Sequence, residues 1–162
     1  MTKENPIFVV HKHAASHLHY DFRLEVDGVL KSWAVPKGPS LDPSVKHLAI
    51  MVDDHEFSYR GFEGVISEGS YGAGVVMVWD QGSYTPVGDD FRGGLVSGKI
   101  HFILHGIKLK GEFYLIRTTL GKKGDQWLLM KKKDEYATSN DVLEKDLSVK
   151  TGRTMKQIEV YG

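Results

Sequence analysis

From His19 to Glu25 the chain alternates without a break. His19, Asp21, Arg23 and Glu25 fall on one side, and Tyr20, Phe22 and Leu24 on the other. A period of two marks a β-strand, whose successive side chains point to opposite faces. The apolar face needs a core, so the segment calls for a sheet packed against apolar side chains. The polar face sets an imidazole, a carboxylate and a guanidinium side by side. The stretch from His13 to Glu25 reads HAASHLHYDFRLE, and four of the chain's eight histidines lie between positions 11 and 19. Ala14-Ala15-Ser16 allows a bend or a helical turn, so His13 and His19 need not share one strand.

The remaining segments supply partners for this strand. Ile7 to Val10 is a short apolar run. Asp27-Gly28 is a hairpin signal between Leu24–Val26 and Val29–Val35. Pro36-Lys37-Gly38-Pro39 ends that hairpin, because proline cannot donate to a ladder. His47 to Asp53 reads as a strand, and Asp54 to Ser70 mostly as loop. Val75 to Trp79 is a strong strand, followed by a turn at Asp80-Gln81-Gly82, a short strand at Ser83–Thr85 and a Gly93-Gly94 loop. Further strands are expected at 99–104, 107–109, 112–117 and 126–130, with turns at Gly106, Gly111 and Gly121–Gly124. Asn140-Asp141 caps a helix running to about Leu147, and Thr154 to Ile158 forms another turn. Many short strands with glycine-rich turns predict a mainly β fold, a closed or nearly closed β-barrel with minor flanking helices, one of them C-terminal.

Length and composition narrow the function. At 162 residues the chain is expected to form one domain over 1–162, with 1–6 as a flexible arm and 135–162 as a C-terminal helical tail. Lys plus Arg and Asp plus Glu number 21 each, which argues against coating nucleic acid by bulk charge but not against a local basic groove. There is no cysteine, so a metal must be held by His, Asp, Glu or water. No apolar run approaches the roughly 20 residues of a membrane span. The start MTKENPIFVV lacks a signal-peptide apolar region, and the expected location is cytoplasmic.

His13, His19 and Asp21 are the candidate metal ligands. Two imidazoles and a carboxylate hold a divalent ion on one side and leave positions open for water and substrate. His19 and Asp21 sit about 7 Å apart along a strand face, a workable span for one ion. The competing reading is a solvated face that happens to be rich in histidine. His11 and His17 are outer candidates. Arg23, Lys37 and His55 are candidate phosphate contacts: arginine offers a planar fork, Lys37 sits in a stiff turn, and Asp53-Asp54 would keep His55 protonated. Tyr59 carries a hydroxyl that can reach a phosphate, and Phe57, Tyr59 and Phe62 are either base-stacking or core residues. Glu68 to Gly74, EGSYGAG, lacks the lysine of a P-loop and reads better as a tight turn. Spacing alone also permits a His19-x-Asp21 iron oxygenase completed by His101 or His105, or a nucleic-acid module without catalysis.

Taken together, FVVHKHAASHLHYDFRLEVDGVLKSWAVPKGP, DDHEFSYRGFEGVISEGSYGAGVVMVWDQGSY, GKIHFILHGIKLKGEFYLIR and WLLMKKKD resemble the 3′-phosphoesterase domain of bacterial and archaeal DNA ligase D. The resemblance runs from Ile7 to about Asp134. It implies a β-barrel and a manganese site, with cobalt or zinc as alternative ions. It implies removal of a 3′-terminal ribonucleoside and then of the 3′-phosphate, leaving a 3′-OH. The substrate implied is a DNA or RNA-terminated primer–template. The partners implied are ligase, polymerase and Ku-type end-joining proteins. His13, His19 and Asp21 match the family's metal ligands, and Arg23, Lys37, His55 and Tyr59 its phosphate-binding and catalytic positions. Two weaker phosphate positions depart from the pattern: His11 stands where the family usually has glutamine, and His47 where it has arginine. The family's longer N-terminal arm has no counterpart before Met1. That bears on the ribonucleoside step more than on phosphate removal.

Overall fold

The computed structural model describes residues 5–119 and 124–161. Among the described residues nine strands form one antiparallel sheet: β1 (Ile7–Ala14), β2 (Leu18–Val26), β3 (Val29–Val35), β4 (Lys46–Glu56), β5 (Gly64–Ile66), β6 (Gly74–Pro86), β7 (Lys99–Gly106), β8 (Lys110–Arg117) and β9 (Gln126–Lys131). Their order is β1-β2-β3-β4-β9-β8-β7-β6-β5, and β1 also pairs with β6, which closes the first eight of that order into a barrel. Closure removes the free edges that an open sheet would expose. Of the expected features, residues 1–4 of the 1–6 arm and most of the turn at 121–124 lie outside the described residues.

The interior follows from alternation. Phe8, Val10, Tyr20, Phe22, Leu24, Trp33 and Val35 point inward and meet Trp79, Phe102, Phe113 and Trp127 from the opposite wall. The odd-numbered residues of β1 and β2 therefore face out. The Asp27-Gly28 hairpin forms as expected, with Val26 opposite Val29 and positive φ at both turn residues.

Several expected boundaries shift. β6 runs straight through Asp80–Gly82, because these residues serve a neighbouring strand connection rather than a turn. The buried Asp80 carboxylate accepts the backbone N–H groups of Ile107, Lys108 and Leu109 at 2.8–3.1 Å, so 107–109 is a turn and not a strand. Gly82 lets the His105 carbonyl approach where a methyl group would collide with it. Gly93-Gly94 lies inside a short helix, α1 (Phe91–Ser97), capped by Asp90. β4 extends to Glu56 and is followed by a 3₁₀ turn at Phe57–Gly61. Asp141 caps as expected, but only a 3₁₀ turn at Val142–Glu144 follows. Thr154 opens a true helix, α2 (Met155–Tyr161), and the C-terminal stretch is otherwise irregular.

That stretch is tied to the barrel by Glu63, whose side chain is 1% exposed. The carboxylate accepts from Val78 N at 2.9 Å, Ser148 Oγ at 2.6 Å, Thr151 Oγ1 at 2.5 Å and Arg153 Nη2 at 3.3 Å. Burial disfavours its charge, but these donors outweigh burial and hold its carboxyl below the ordinary value. Glu63→Ala leaves several buried donors unpaired and is expected to cost about 3 kcal/mol. Chemical denaturation checks this; an unchanged midpoint would show that the tail is held by other contacts.

Candidate metal and phosphate site

The outward faces of β1 to β4 bring the polar residues together. Across β1 and β2, Val9 lies opposite Arg23, His11 opposite Asp21 and His13 opposite His19. Across β2 and β3, Arg23 lies opposite Ser32 and Asp21 opposite Ala34. The β3–β4 register shifts between Leu30 and Ser32, which puts Leu30 opposite His55 and Ser32 opposite Val52. A bulge of this kind re-aims a side chain, and here it brings His55 onto the face shared by Ser32 and Val52. The result is a pocket of about 460 Å³ lined by His13, His19, Asp21, Arg23, His55 and Tyr59, together with Ala15, Ile66, Tyr71 and Gly72. A larger cavity of about 950 Å³ lies between β1, the 3₁₀ turn and Lys150; its one histidine, His105, and one carboxylate, Glu63, are both engaged with other side chains.

His13, His19 and Asp21 can each offer a ligand atom, and those atoms lie within 4.8 Å of one another; they are the one such group found among the described residues. Their hydrogen bonds fix which ring nitrogens are free. His13 Nε2 donates to the Gly72 carbonyl at 2.9 Å, and His19 Nδ1 to the His17 carbonyl at 3.1 Å. A carbonyl only accepts, so each ring proton sits there. His13 Nδ1 and His19 Nε2 are then the nitrogens that face the Asp21 carboxylate, at 3.6 and 3.3 Å; when protonated they donate to it, and when not they offer lone pairs to a cation. Two lone pairs and a carboxylate converging in this way are short of positive charge, and a divalent cation fits that donor set. Burial alone would raise the Asp21 carboxyl, but His13, His19 and Arg23 outweigh it and hold it well below the usual range.

Arg23 is the hub of the site and is 3% exposed. Nε donates to His11 Nδ1 at 3.0 Å, and Nη1 donates to Ser32 Oγ at 2.8 Å and to His55 Nδ1 at 3.0 Å. Nη2 lies 3.4 Å from Asp21. The Tyr59 ring covers the guanidinium at 5.3 Å and stacks on Phe62 at 5.2 Å. Burial raises the Tyr59 hydroxyl above its ordinary value, so it stays protonated at neutral pH.

Four expectations change. His55 is not held protonated by Asp53-Asp54: burial and the Arg23 charge push it below its ordinary value. Arg23 uses Nδ1, so the proton of the neutral ring is on Nε2. His11 does not line the pocket. It is fully buried behind Arg23, its pKa is lowered to about 3 chiefly by burial, and its Nε2 has no hydrogen-bond partner among the described residues. His47 also stands outside the pocket, and its Nδ1 donates to the Gly38 carbonyl at 2.5 Å. Lys37, in the turn beside it, is exposed and does not line the pocket; it follows Val35, which pairs with Tyr20, and so lies at the His19 end of the barrel.

The oxygenase triad does not assemble. His101 Nε2 meets Glu112 at 2.7 Å and its ring stacks on Tyr114, while His105 pairs with Thr85. Three contributors went unread in the sequence: Ser32, the Gly72 carbonyl and Phe62 as the support of Tyr59. Ser32 was within reach, since a two-residue turn at 27–28 places it opposite Arg23 by counting.

This arrangement can be set beside known proteins. The family model of the DNA Ligase D 3′-phosphoesterase domain matches residues 11–117, the span that holds every residue lining the pocket. The chain belongs to this family. It is 55% identical over 152 residues to the multifunctional non-homologous end joining protein LigD of Pseudomonas aeruginosa, covering 91% of this chain and 18% of that protein. It is 44% identical over 135 residues to the LigD DNA repair protein of Mycobacterium tuberculosis, covering 83% of this chain and 17% of that protein. With LigD of Mycolicibacterium smegmatis the identity is 42% over 139 residues, covering 83% and 18%. The chain thus spans under a fifth of the length of these relatives. Membership of the 3′-phosphoesterase family accords with a pocket that joins a chelating group to a buried guanidinium. Among the described residues no helix is long and apolar enough to cross a membrane.

Proposed function

We propose that this chain is a divalent-metal-dependent 3′-phosphoesterase. It removes the phosphate from a 3′-phosphate end of a primer–template to leave a 3′-OH, and removes a 3′-terminal ribonucleoside in a preceding diesterase step. The observation that carries this reading is the convergence of two imidazole lone pairs on Asp21, with the Arg23 guanidinium 3.4 Å from the same carboxylate. His13, His19 and Asp21 would hold the ion, manganese by preference, with cobalt or zinc able to substitute. Such an ion supplies Lewis acidity to a phosphoryl oxygen and eases deprotonation of a bound water.

The chain's own side chains do the rest. Arg23, with its other nitrogens engaged by His11, Ser32 and His55, holds a fixed orientation toward phosphoryl oxygens and offsets charge that builds on them. In phosphate removal a phosphorus–oxygen bond forms to water, the bond to O3′ breaks, and the departing O3′ takes a proton; in the diesterase step the bond to O5′ of the terminal ribonucleoside breaks instead, O5′ takes the proton, and the phosphate stays on O3′. Tyr59 and the neutral His55 are the groups beside Arg23 that carry a proton to give. His11 acts through Arg23 and does not touch the phosphate. Lys37 contacts the strand from the barrel end.

We further propose that the work is done in the cytoplasm alongside ligase, polymerase and Ku-type end-joining proteins; the names of the relatives support the end-joining setting alone. Incubation of the purified chain with manganese and a 3′-phosphate primer–template tests the activity. Inorganic phosphate is released and the primer becomes extendable by a polymerase; an unchanged primer across all divalent ions refutes the reading. His47 lies off the pocket, so His47→Arg should not lower phosphate release. A large loss in that variant would put the Gly38 turn inside the reaction.

A further inference from the structure

The pocket is not polar throughout. Its floor is chelating and cationic, but Ala15, Ile66 and Tyr71 line it as well. A site for free phosphate needs no such rim. Tyr71 is the one aromatic side chain in the Ser67–Ala73 loop and is 84% exposed, yet it lines the same pocket as the three candidate metal ligands. The loop is also fixed to the chelating group. The next residue, Gly72, gives its carbonyl to His13, and Gly74 packs so tightly on Ala14 that a methyl group would strike the Ala14 carbonyl. Tyr71 is thus one residue away from the carbonyl that orients a candidate ligand. A nucleobase is one sugar away from its own 3′-phosphate.

We propose that Tyr71 is the platform on which the base of the terminal nucleotide stacks, so that the rim recognises the nucleoside carrying the phosphate. This rests on the phosphoesterase reading and adds its specificity determinant. An aromatic face accepts any base, so the contact favours a nucleoside over an abasic end without choosing among sequences. Exposure is what this role requires, since a buried ring has no free face.

The test compares two primer–templates, each with a 3′-phosphate, one ending in an ordinary nucleotide and one in an abasic residue. The ratio of their kcat/KM values is measured with manganese for the parent chain, Tyr71→Ala and Tyr71→Phe. The parent should favour the base-bearing end by about tenfold, within the range a base–aromatic stack supplies. In Tyr71→Ala the ratio falls toward one through a raised KM, and in Tyr71→Phe it is kept. Equal ratios in the parent and Tyr71→Ala overturn the proposal, as does Tyr71→Phe behaving like Tyr71→Ala, which would make the hydroxyl the contact. If the parent hydrolyses neither end, the phosphoesterase reading fails and the platform with it.

Discussion

Arg23→Lys is expected to cut hydrolysis of a 3′-phosphate end by about 10²- to 10³-fold, the loss typical of removing one aimed donor in a reaction centre. Lysine keeps the charge but not the fork. Arg23 uses Nε on His11, Nη1 on Ser32 and His55, and Nη2 toward Asp21, in four directions set by one plane. An ammonium cannot satisfy these acceptors together. His11 and Ser32 are fully buried, so they would lose a partner with no water to replace it. The loss should fall mainly on kcat, because the missing interaction is with charge that develops during reaction. Steady-state kinetics on the folded variant check this. Activity within a few-fold of the parent would mean that the guanidinium geometry is structural and that charge alone serves the phosphate.

Asp21→Asn carries the second large effect. The carboxylate is the one anion in the donor group, and it lies within 3.3–3.6 Å of His13, His19 and Arg23. Asparagine keeps the shape and removes the charge. Metal affinity should fall by orders of magnitude, and phosphate release to background. The buried Arg23 also loses its nearest counter-charge, so stability drops by a few kcal/mol. Thermal unfolding must therefore accompany the kinetics. His19→Ala is a gentler companion, since His19 is partly exposed and its ring packs on His13 at 4.8 Å. A folded His19→Ala variant that still releases phosphate at the parent rate would also count against the metal site.

How much of this was legible beforehand differs by residue. The strand His19–Glu25 and its hairpin could be read directly, because alternation and a two-residue turn fix both face and register. Closure of the barrel followed from the number of short strands and the turn chemistry between them. The pairing of His13 with His19 was hidden, since a bend at Ala14–Ser16 could have sent them apart; only the β1–β2 ladder sets them opposite each other. His55 was recognised, but its protonation was misjudged. The adjacent Asp53 and Asp54 are exposed, whereas Arg23, distant in sequence, bonds the ring directly. The β4 bulge that turns His55 toward the pocket leaves no simple mark in composition. Asp80 and Gly82 carried turn chemistry but spent it on a neighbouring connection. Glu63 and its partners at 148, 151 and 153 are 85 to 90 residues apart, beyond any local pattern.

The central claim is that His13, His19 and Asp21 hold one divalent ion beside Arg23. Manganese titration of the parent chain and of Asp21→Asn, followed by calorimetry with phosphate release measured on the same samples, tests it most directly. The account predicts one ion per parent chain, release that rises with occupancy and stops in chelator, and no binding at that site in the variant. Equal binding by both proteins, or undiminished release in excess chelator, would contradict it.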